Sequence, residues 1–271
     1  MSILLGQPDT AYHLDPAIGS TDAKLALDSM QKLRDELDGI RPRKDSKAFQ
    51  FGRCAHARFT NPALFADMVH TGPLNPKTGK PYGPDTNAFA EWSAENPGKV
   101  VLGQRELADL DMMDARMPAE VRAILSDPVG IPESSYYVTL ADVAVKCRPD
   151  WISNGTIYDI KTIGNMADAE KQISKFHYWF SAAWYRMVVK AECGKTLPFR
   201  FIFAEKSSPY RWRIVDLDAD WIGWADATVD RVLGDIANAQ GSGDWSDKGE
   251  LHAMVSRPAW ESDDDETEDG E

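Results

Sequence analysis

Residues 143–162 constrain the fold of this chain more than any other segment, because they combine strand signals with a turn signal. Val143–Cys147 and residues 156–162 are short runs rich in β-branched side chains, which is the composition of strands. Ser153-Asn154-Gly155 precedes the second run and has the composition of a tight turn. The segment therefore predicts that the chain reverses around residue 154 and pairs its two arms as antiparallel strands.

This hairpin brings three charged side chains together. Asp150 and Asp159 fall on the two neighbouring strands. Lys161 follows Asp159 by two residues, so both side chains project from one face of the sheet while Ile160 points to the opposite, buried face. The sequence thus predicts that two carboxylates and one ammonium group converge.

Such a set of groups suits the hydrolysis of a phosphodiester. The substrate is charged and its alkoxide leaving group is poor, so cleavage requires an activated water and neutralisation of the developing charge. Mg²⁺ held by carboxylates can supply both. A neighbouring lysine can orient or deprotonate the attacking water, and it can also counter charge on the phosphate.

The same residues resemble the motif of a known superfamily. Pro149-Asp150 together with Asp159-x-Lys161 resembles the signature of the PD-(D/E)XK nucleases. Upstream, Gly52-x-x-x-His56 resembles the motif that precedes the core in the exonuclease VIII (RecE) and RecB-like branches. A longer stretch, in which Glu133-x-Ser-x-aromatic runs into Cys-Arg-Pro-Asp at residues 147–150, is similar to the exonuclease VIII type.

This resemblance implies a metal centre. It assigns divalent-metal ligation to His56, Asp150, Asp159 and the backbone carbonyl of Ile160, and it makes Lys161 the catalytic lysine. Glu133 is a further candidate, and two interpretations stay open for it: a place near the metals or DNA, or an exposed acid at a strand edge. The expected cofactor is Mg²⁺, as two ions, and the imidazole ligand makes Mn²⁺ an acceptable substitute.

The resemblance also suggests residues that contact DNA. Relatives carry Gln-x-x-x-Tyr on the helix after the catalytic lysine, where this chain has Ser181-x-x-x-Tyr185. His177 precedes Ser181 by one predicted helical turn and is a candidate substitute for the glutamine. Arg53 and Arg148, which lie inside the two motifs, complete the predicted set of DNA-binding residues.

The expected fold is α/β, with a restriction-endonuclease-like core: a central mixed β-sheet flanked by helices, with N-terminal helical additions. Residues 1–245 are predicted to form a single nuclease domain, with a helical part at about 1–100 and the catalytic core at about 101–240. Apolar spacing and cap residues predict helices over residues 21–37, 104–125, 165–192 and 219–239, with a further one around His56. Residues 199–204 and 211–215 read as strands.

Charge patterning is unusual for a protein that would bind DNA, because the formal net charge is −13. Residues 246–271 form an acidic tail that is predicted to be disordered, and residues 261–271 alone contain eight acidic and no basic residues. This tail is interpreted as a solubilising segment, as a segment that docks a partner, or as one that competes with DNA. Arg41, Arg43, Lys44 and Lys47 make one basic stretch before the His56 helix, suitably placed to steer a duplex.

Taken with the motifs, the resemblance implies an exodeoxyribonuclease that degrades linear double-stranded DNA from the 5′ end and leaves a 3′ strand for a single-strand annealing recombinase. It also implies a ring-shaped homo-oligomer around the DNA. A RecB-like single-strand nuclease and an endonuclease remain alternatives, because they share the same metal centre. A noncatalytic DNA-binding recombination scaffold and an unrelated metabolic enzyme are the alternatives of other classes.

Cysteine usage and hydropathy suggest the compartment. The three cysteines are widely spaced and include no Cys-x-x-Cys pair, which is typical of neither a disulfide framework nor a zinc site. No stretch approaches 18 consecutive apolar residues. The chain is therefore expected in the cytoplasm of a bacterial or phage-infected cell, without membrane contact.

Overall fold

The computed structural model describes residues 2–41 and 46–247. Two residues of the predicted basic stretch, Arg43 and Lys44, lie outside the described residues. The tail beyond residue 247, which includes the acidic run, also lies outside them.

The strands and helices follow one another in this order. The strands are β1 (Ser2–Leu4), β2 (Val69–His70), β3 (Val100–Val101), β4 (Ile131–Pro132), β5 (Ser135–Leu140), β6 (Val143–Cys147), β7 (Trp151–Ser153), β8 (Thr156–Ile163), β9 (Phe199–Glu205) and β10 (Trp212–Val215). The helices are α1 (Asp9–Leu14), α2 (Ser20–Ala23), α3 (Met30–Leu37), α4 (Lys47–Thr60), α5 (Pro62–Met68), α6 (Asn87–Glu95), α7 (Gln104–Ala115), α8 (Ala119–Leu125), α9 (Ala169–Lys175), α10 (Tyr178–Cys193) and α11 (Ala219–Ser242). Short 3-10 turns span Lys24–Leu27 and Met166–Asp168.

The central sheet has the strand order β10-β9-β8-β7-β4. Strands β8 and β9 are parallel, whereas the other neighbours in this sheet are antiparallel, so the sheet is mixed as predicted. A parallel pair requires a long crossover connection, and α9 and α10 provide it between β8 and β9. Strands β5 and β6 do not join this sheet: they form a second one, of order β1-β5-β6. The N-terminal part is therefore not purely helical, because β1 pairs with β5.

Alternation along β8 sends its apolar side chains into two separate cores. Ile157 and Ile163 pack in the core that includes the buried side chains of α10 and α11. Tyr158 and Ile160 face the other core, which includes buried side chains of α4, α7 and α8. The sheet thus lies between two layers of helices, and β8 is covered on both faces. Within the described residues, no helix is both long and apolar enough to cross a bilayer.

Three helices that were predicted to be continuous are interrupted in the structure. The predicted helix over residues 104–125 ends at Ala115, and Pro118 begins the next one because its ring cannot continue the first. The helix predicted over 21–37 breaks at Ser29, whose hydroxyl accepts a hydrogen bond from the N–H of Lys32 at 3.0 Å and so starts α3. The helix predicted over 165–192 breaks at His177, which has a φ of 50° in the left-handed region. Gly194 ends α10 with a φ of 71°, in the left-handed region that favours glycine.

A buried carboxylate fixes the end of β9. Glu205 is 2% exposed and accepts hydrogen bonds from Arg211, at 2.9 Å from Nε and 2.8 Å from Nη2. It also accepts one from the backbone N–H of Met166 at 3.1 Å. The hydrogen bonds from Arg211 lower the pKa of Glu205 to about 2. This carboxylate therefore links the β9–β10 connection to the segment that follows β8.

We expect Glu205→Gln to reduce the free energy of unfolding by about 1–2 kcal/mol at pH 7, a value discounted because the Arg211 side chain is half exposed. The pKa of Glu205 lies below its unfolded value, so the stabilisation is present above pH 4.5 and disappears as the pH falls towards 2. Urea unfolding at pH 7, 4 and 3 measures the difference. Glu91→Gln, on an exposed site of α6, is the matched control. An equal deficit of Glu205→Gln at all three pH values would contradict the assignment.

Candidate active site

The predicted hairpin is confirmed. Strands β7 and β8 pair antiparallel with Trp151 opposite Tyr158, so the same register continued by one residue places Asp150 opposite Asp159. The turn between the strands uses Asn154 and Gly155, both with positive φ (48° and 70°), which matches the right-handed twist of a two-residue hairpin.

Asp150 lies at the centre of the site. Its Oδ2 accepts a hydrogen bond from the backbone N–H of Ile160 at 2.6 Å, and its Oδ1 lies 3.4 Å from Nδ1 of His56 on α4. Burial disfavours the charged form of both side chains, but the attraction between them outweighs it: the pKa of Asp150 is lowered and the pKa of His56 is raised. The predicted meeting of the helix histidine with the hairpin acid is therefore present in the structure.

Asp159 and Lys161 form the second charged pair. Asp159 is 2% exposed, and its Oδ2 lies 2.5 Å from Nζ of Lys161. Burial opposes the charge of Lys161, but Asp159 and Asp150 outweigh it and raise the pKa of Lys161 above its usual range. Lys161 is therefore an ammonium ion here, which favours its roles in orienting water and countering phosphate charge over a role as base.

Burial and the nearby charge of Asp150 raise the pKa of Asp159. Its ionised form therefore depends on positive charge close by. Among the described residues, no donor makes a well-aligned hydrogen bond to its buried Oδ2, so the ion pair with Lys161 is the compensation that it has.

Glu133 lies in the wall of the cleft beside this centre. It is half-buried, and its backbone N–H donates to the carbonyl of Asp150 at 3.2 Å. Its φ of 39° is unusual for a residue with a side chain and marks a strained position between β4 and β5. Burial and the charge of Asp150 raise the pKa of Glu133. Its side chain has no hydrogen bond or ion pair to another described residue, so it is free to take a ligand.

A cleft of about 500 Å³ opens onto these groups. Its walls include His56, Asp150, Glu133, Arg53 and Tyr185. Asp159 and Lys161 are not part of the walls, so the cleft reaches the centre through Asp150 and His56. Of the predicted DNA-binding residues, Arg53 and Tyr185 are thus presented to an occupant of the cleft.

Arg148 also lines the cleft, but its guanidinium is engaged by the N-terminal segment. Its Nε donates to the hydroxyl of Ser135 at 2.9 Å, and its Nη1 lies 3.3 Å from Oδ1 of Asp9. Its charged end also stacks 4.1 Å from the centre of the Tyr12 ring. In this structure Arg148 holds α1 in place, a role that its position in the motif did not indicate.

The other two predicted DNA-binding residues lie outside the cleft walls. Ser181 is buried in α10, with its hydroxyl 3.4 Å from that of Ser20 in α2. His177 is exposed and is the N-cap of α10, where its carbonyl accepts the N–H of Ser181 at 3.4 Å. It therefore lies one turn before Ser181, but its left-handed φ interrupts the helix that was predicted to run through it.

Two residues near Lys161 were not predicted from the sequence. The ammonium groups of Lys161 and Lys24 lie 5.2 Å and 5.6 Å from the centre of the Tyr178 ring. Burial, with the charge of Lys161, lowers the pKa of Lys24 to about 7. No short motif could have indicated Lys24, because the fold alone brings it beside residues more than a hundred positions away.

The donor set fits a divalent metal ion. Carboxylates with one imidazole and a backbone carbonyl are ligands that Mg²⁺ and Mn²⁺ accept. The buried Oδ2 of Asp159, short of hydrogen-bond donors, is an oxygen that such an ion would satisfy. Within the described residues, no three His, Cys, Asp or Glu side chains are already grouped around one point. Instead, His56 contacts Asp150, and Lys161 contacts Asp159. Metal binding would therefore replace these two ion-pair contacts.

Comparisons with known proteins agree with the fold and the motif. None of the curated proteins matches the chain. A protein from Eubacterium rectale described as “Putative exonuclease” has a crystal structure that matches with a TM-score of 0.62, at 14% identity, over 95% of this chain and 96% of that chain. A structure described as SSO0001 covers 85% of this chain and 82% of that chain at 13% identity, but its TM-score of 0.36 is too low to support an argument.

The family model described as “PDDEXK-like domain of unknown function (DUF3799)” matches residues 20–257, which include both halves of the hairpin and the histidine helix. The resemblance to the PD-(D/E)XK superfamily and the expected α/β fold are thereby confirmed. This chain belongs to the PDDEXK-like family DUF3799.

Proposed function

We propose that this protein is a divalent-metal-dependent deoxyribonuclease. The observation that carries the proposal is that two ion pairs, Asp150 with His56 of α4 and Asp159 with Lys161, meet at one hairpin, and that an open cleft reaches them through Asp150 and His56. Two buried acids on adjacent strands are costly for stability alone, so their presence beside a histidine and a lysine supports a functional role.

His56, Asp150, Asp159 and the carbonyl of Ile160 would hold Mg²⁺, and Mn²⁺ would substitute. A bound divalent ion lowers the pKa of its water and neutralises charge on the phosphate. The unpaired Glu133 carboxylate beside Asp150 supports a place for a second ion. His56 would then be a neutral ligand rather than the partner of an ion pair.

Lys161 would act on the water and on the phosphate. Its ammonium lies 2.5 Å from Oδ2 of Asp159 in this structure, so it would stay within reach of the metal ligands after an ion replaces that contact. From there it donates a hydrogen bond to the attacking water or to a non-bridging phosphate oxygen, and its charge offsets the negative charge that develops on the phosphate.

More specifically, the proposed enzyme is an exonuclease that degrades linear double-stranded DNA from 5′ to 3′. It would pass the remaining 3′ strand to an annealing recombinase. The likeness to the exonuclease VIII motif and the description of the structural neighbour support the requirement for an end. A homo-oligomeric ring would give processivity by enclosing the DNA, which suits an acidic protein, and the cysteine pattern supports a cytoplasmic location. A RecB-like single-strand nuclease or an endonuclease would use the same centre.

An assay with end-labelled substrates separates these activities. The protein is incubated with Mg²⁺ and a linear duplex labelled at either 5′ or 3′ ends, a closed circular duplex, or a single strand. The exonuclease degrades only the linear duplex and releases the 5′ label first. Cleavage of the circle would indicate an endonuclease, and no cleavage with Mg²⁺ or Mn²⁺ would support the noncatalytic scaffold.

We expect Asp159→Asn and Lys161→Ala each to reduce the cleavage rate at least a hundredfold, because each removes a charge that acts on the reacting groups. Initial rates on the substrate that the wild type cleaves best provide the measurement, with circular dichroism to verify folding. Asp220→Asn and Lys171→Ala, at exposed sites of α11 and α9, are the matched controls. A folded variant at either active-site position with the wild-type rate would refute its role.

We expect Asp150→Ala and His56→Ala each to weaken Mn²⁺ binding at least tenfold, because each removes a ligand atom. Isothermal titration calorimetry on the full chain measures this without any substrate. Asp220→Ala serves as the control. Unchanged affinity in a folded variant would exclude that residue from the ligands.

A further inference from the structure

The break between α9 and α10 presents two aromatic rings beside the active site. His177 takes a left-handed conformation there, so α9 ends and α10 begins without a continuous helical face. Phe176, just before the break, is 45% exposed, and Tyr178, just after it, is half-buried. Their ring centres are 5.6 Å apart, and the rings are inclined by only 32°.

Three lysines lie against these two rings. Nζ of Lys161 is 5.2 Å and Nζ of Lys24 is 5.6 Å from the centre of the Tyr178 ring. Nζ of Lys175 is 5.4 Å from the centre of the Phe176 ring. We call Phe176, Tyr178, Lys24 and Lys175 the aromatic ladder, and it extends from the catalytic lysine to the protein surface.

Half-buried Lys24 and exposed Lys175 make no ion pair with a described residue, although the charge of Asp159 acts on Lys24. Lys161 is paired with Asp159, but neither Lys24 nor Lys175 has a hydrogen bond or an ion pair with any residue in the described ranges; their contacts are with the rings. This is notable in a chain with a net charge of −13. An anion is the ligand that these cations would take.

The exposed ring of Phe176 indicates which kind of anion would bind here. Tyr178 also packs on Phe201 in the core, at 6.2 Å between ring centres, so packing accounts for part of its position. Packing accounts for less of Phe176, which is 45% exposed. Alternating rings and cations suit unpaired nucleotides, whose bases stack on aromatic side chains while their phosphates contact lysines. An acidic peptide would need the lysines alone.

We propose that the aromatic ladder binds a single-stranded stretch of the nucleic acid next to the bond that is cut, with a base stacked on Phe176 and phosphates on Lys24 and Lys175. This inference rests on the proposed nuclease function, and it assigns a strand-binding role to residues outside the metal centre. Unpaired nucleotides at this place require that a duplex substrate be opened locally before cleavage.

Binding of a single-stranded oligonucleotide that contains the fluorescent base 2-aminopurine tests the stacking. The full chain is titrated in EDTA and, separately, in Ca²⁺. We expect the wild type to quench the fluorescence, because 2-aminopurine loses emission when it stacks. Phe176→Ala and Phe176→Leu should lose this quenching and bind about tenfold more weakly, whereas Phe176→Trp should retain both. Because position 176 is exposed, Phe176→Leu keeps the fold and removes only the aromatic face.

The salt dependence of binding tests the phosphate contacts. The titration is done at pH 6, below the pKa of Lys24 of about 7, so that both lysines are charged. Lys24→Met and Lys175→Met should then each reduce the slope of log affinity against log salt by about 0.7, the value for one phosphate contact on a single strand. Lys171→Met is the matched control, since this lysine lies one turn before Lys175 on α9 with a side chain that is 84% exposed. Its slope should equal that of the wild type.

The outcomes separate this proposal from the nuclease assignment. Cleavage by the wild type with unchanged quenching in Phe176→Leu and unchanged slopes in the lysine variants would overturn the aromatic ladder and leave the nuclease. If the wild type cuts no DNA with any divalent metal but Phe176→Leu loses the quenching, the aromatic ladder is supported and the nuclease assignment fails. Absence of oligonucleotide binding by the wild type in both EDTA and Ca²⁺ would also overturn the aromatic ladder.

Discussion

The repulsion between two buried acids on one hairpin determines how the rest of this site is built. The register of β7 and β8 places Asp150 opposite Asp159, and both carboxylates are largely removed from water. Each negative charge then requires a positive charge or a hydrogen-bond donor close by. A histidine from α4 and a backbone N–H compensate Asp150, and the lysine two residues along β8 compensates Asp159.

Helices on opposite faces of the central sheet place side chains next to these acids. Strand β8 is buried on both faces, so α4 reaches it from one side and α10 from the other. The first helix contributes His56, and the second contributes Tyr178 next to Lys161. The hairpin thus contributes to both cores through β8 and to the wall of the cleft through Asp150.

The sequence predicted those features that arise from interactions between residues close together in the chain. It did not predict features that depend on distant residues. The hairpin and the shared face of Asp159 and Lys161 were predictable, because turn chemistry and strand alternation act over a few residues. The helix break at His177 was not, since no proline or glycine marks it and the left-handed residue depends on tertiary packing. Lys24 could not be predicted either, because only the fold brings it beside Tyr178 and Lys161. Arg148 was identified from its motif, yet its partners come from the N-terminal segment and could be seen only in the fold.

That N-terminal segment includes α1, which forms part of the wall of the cleft. Helix α1 has no buried residue, and Arg148 and Lys146 hold its surroundings through Asp9, the Tyr12 ring and two backbone carbonyls. Polar contacts attach α1 to the rest of the protein, so deleting the chain through α1 would uncover two cations beside the cleft. The local potential would then shift towards positive, and a protein shortened in this way would not be electrostatically equivalent to the full chain.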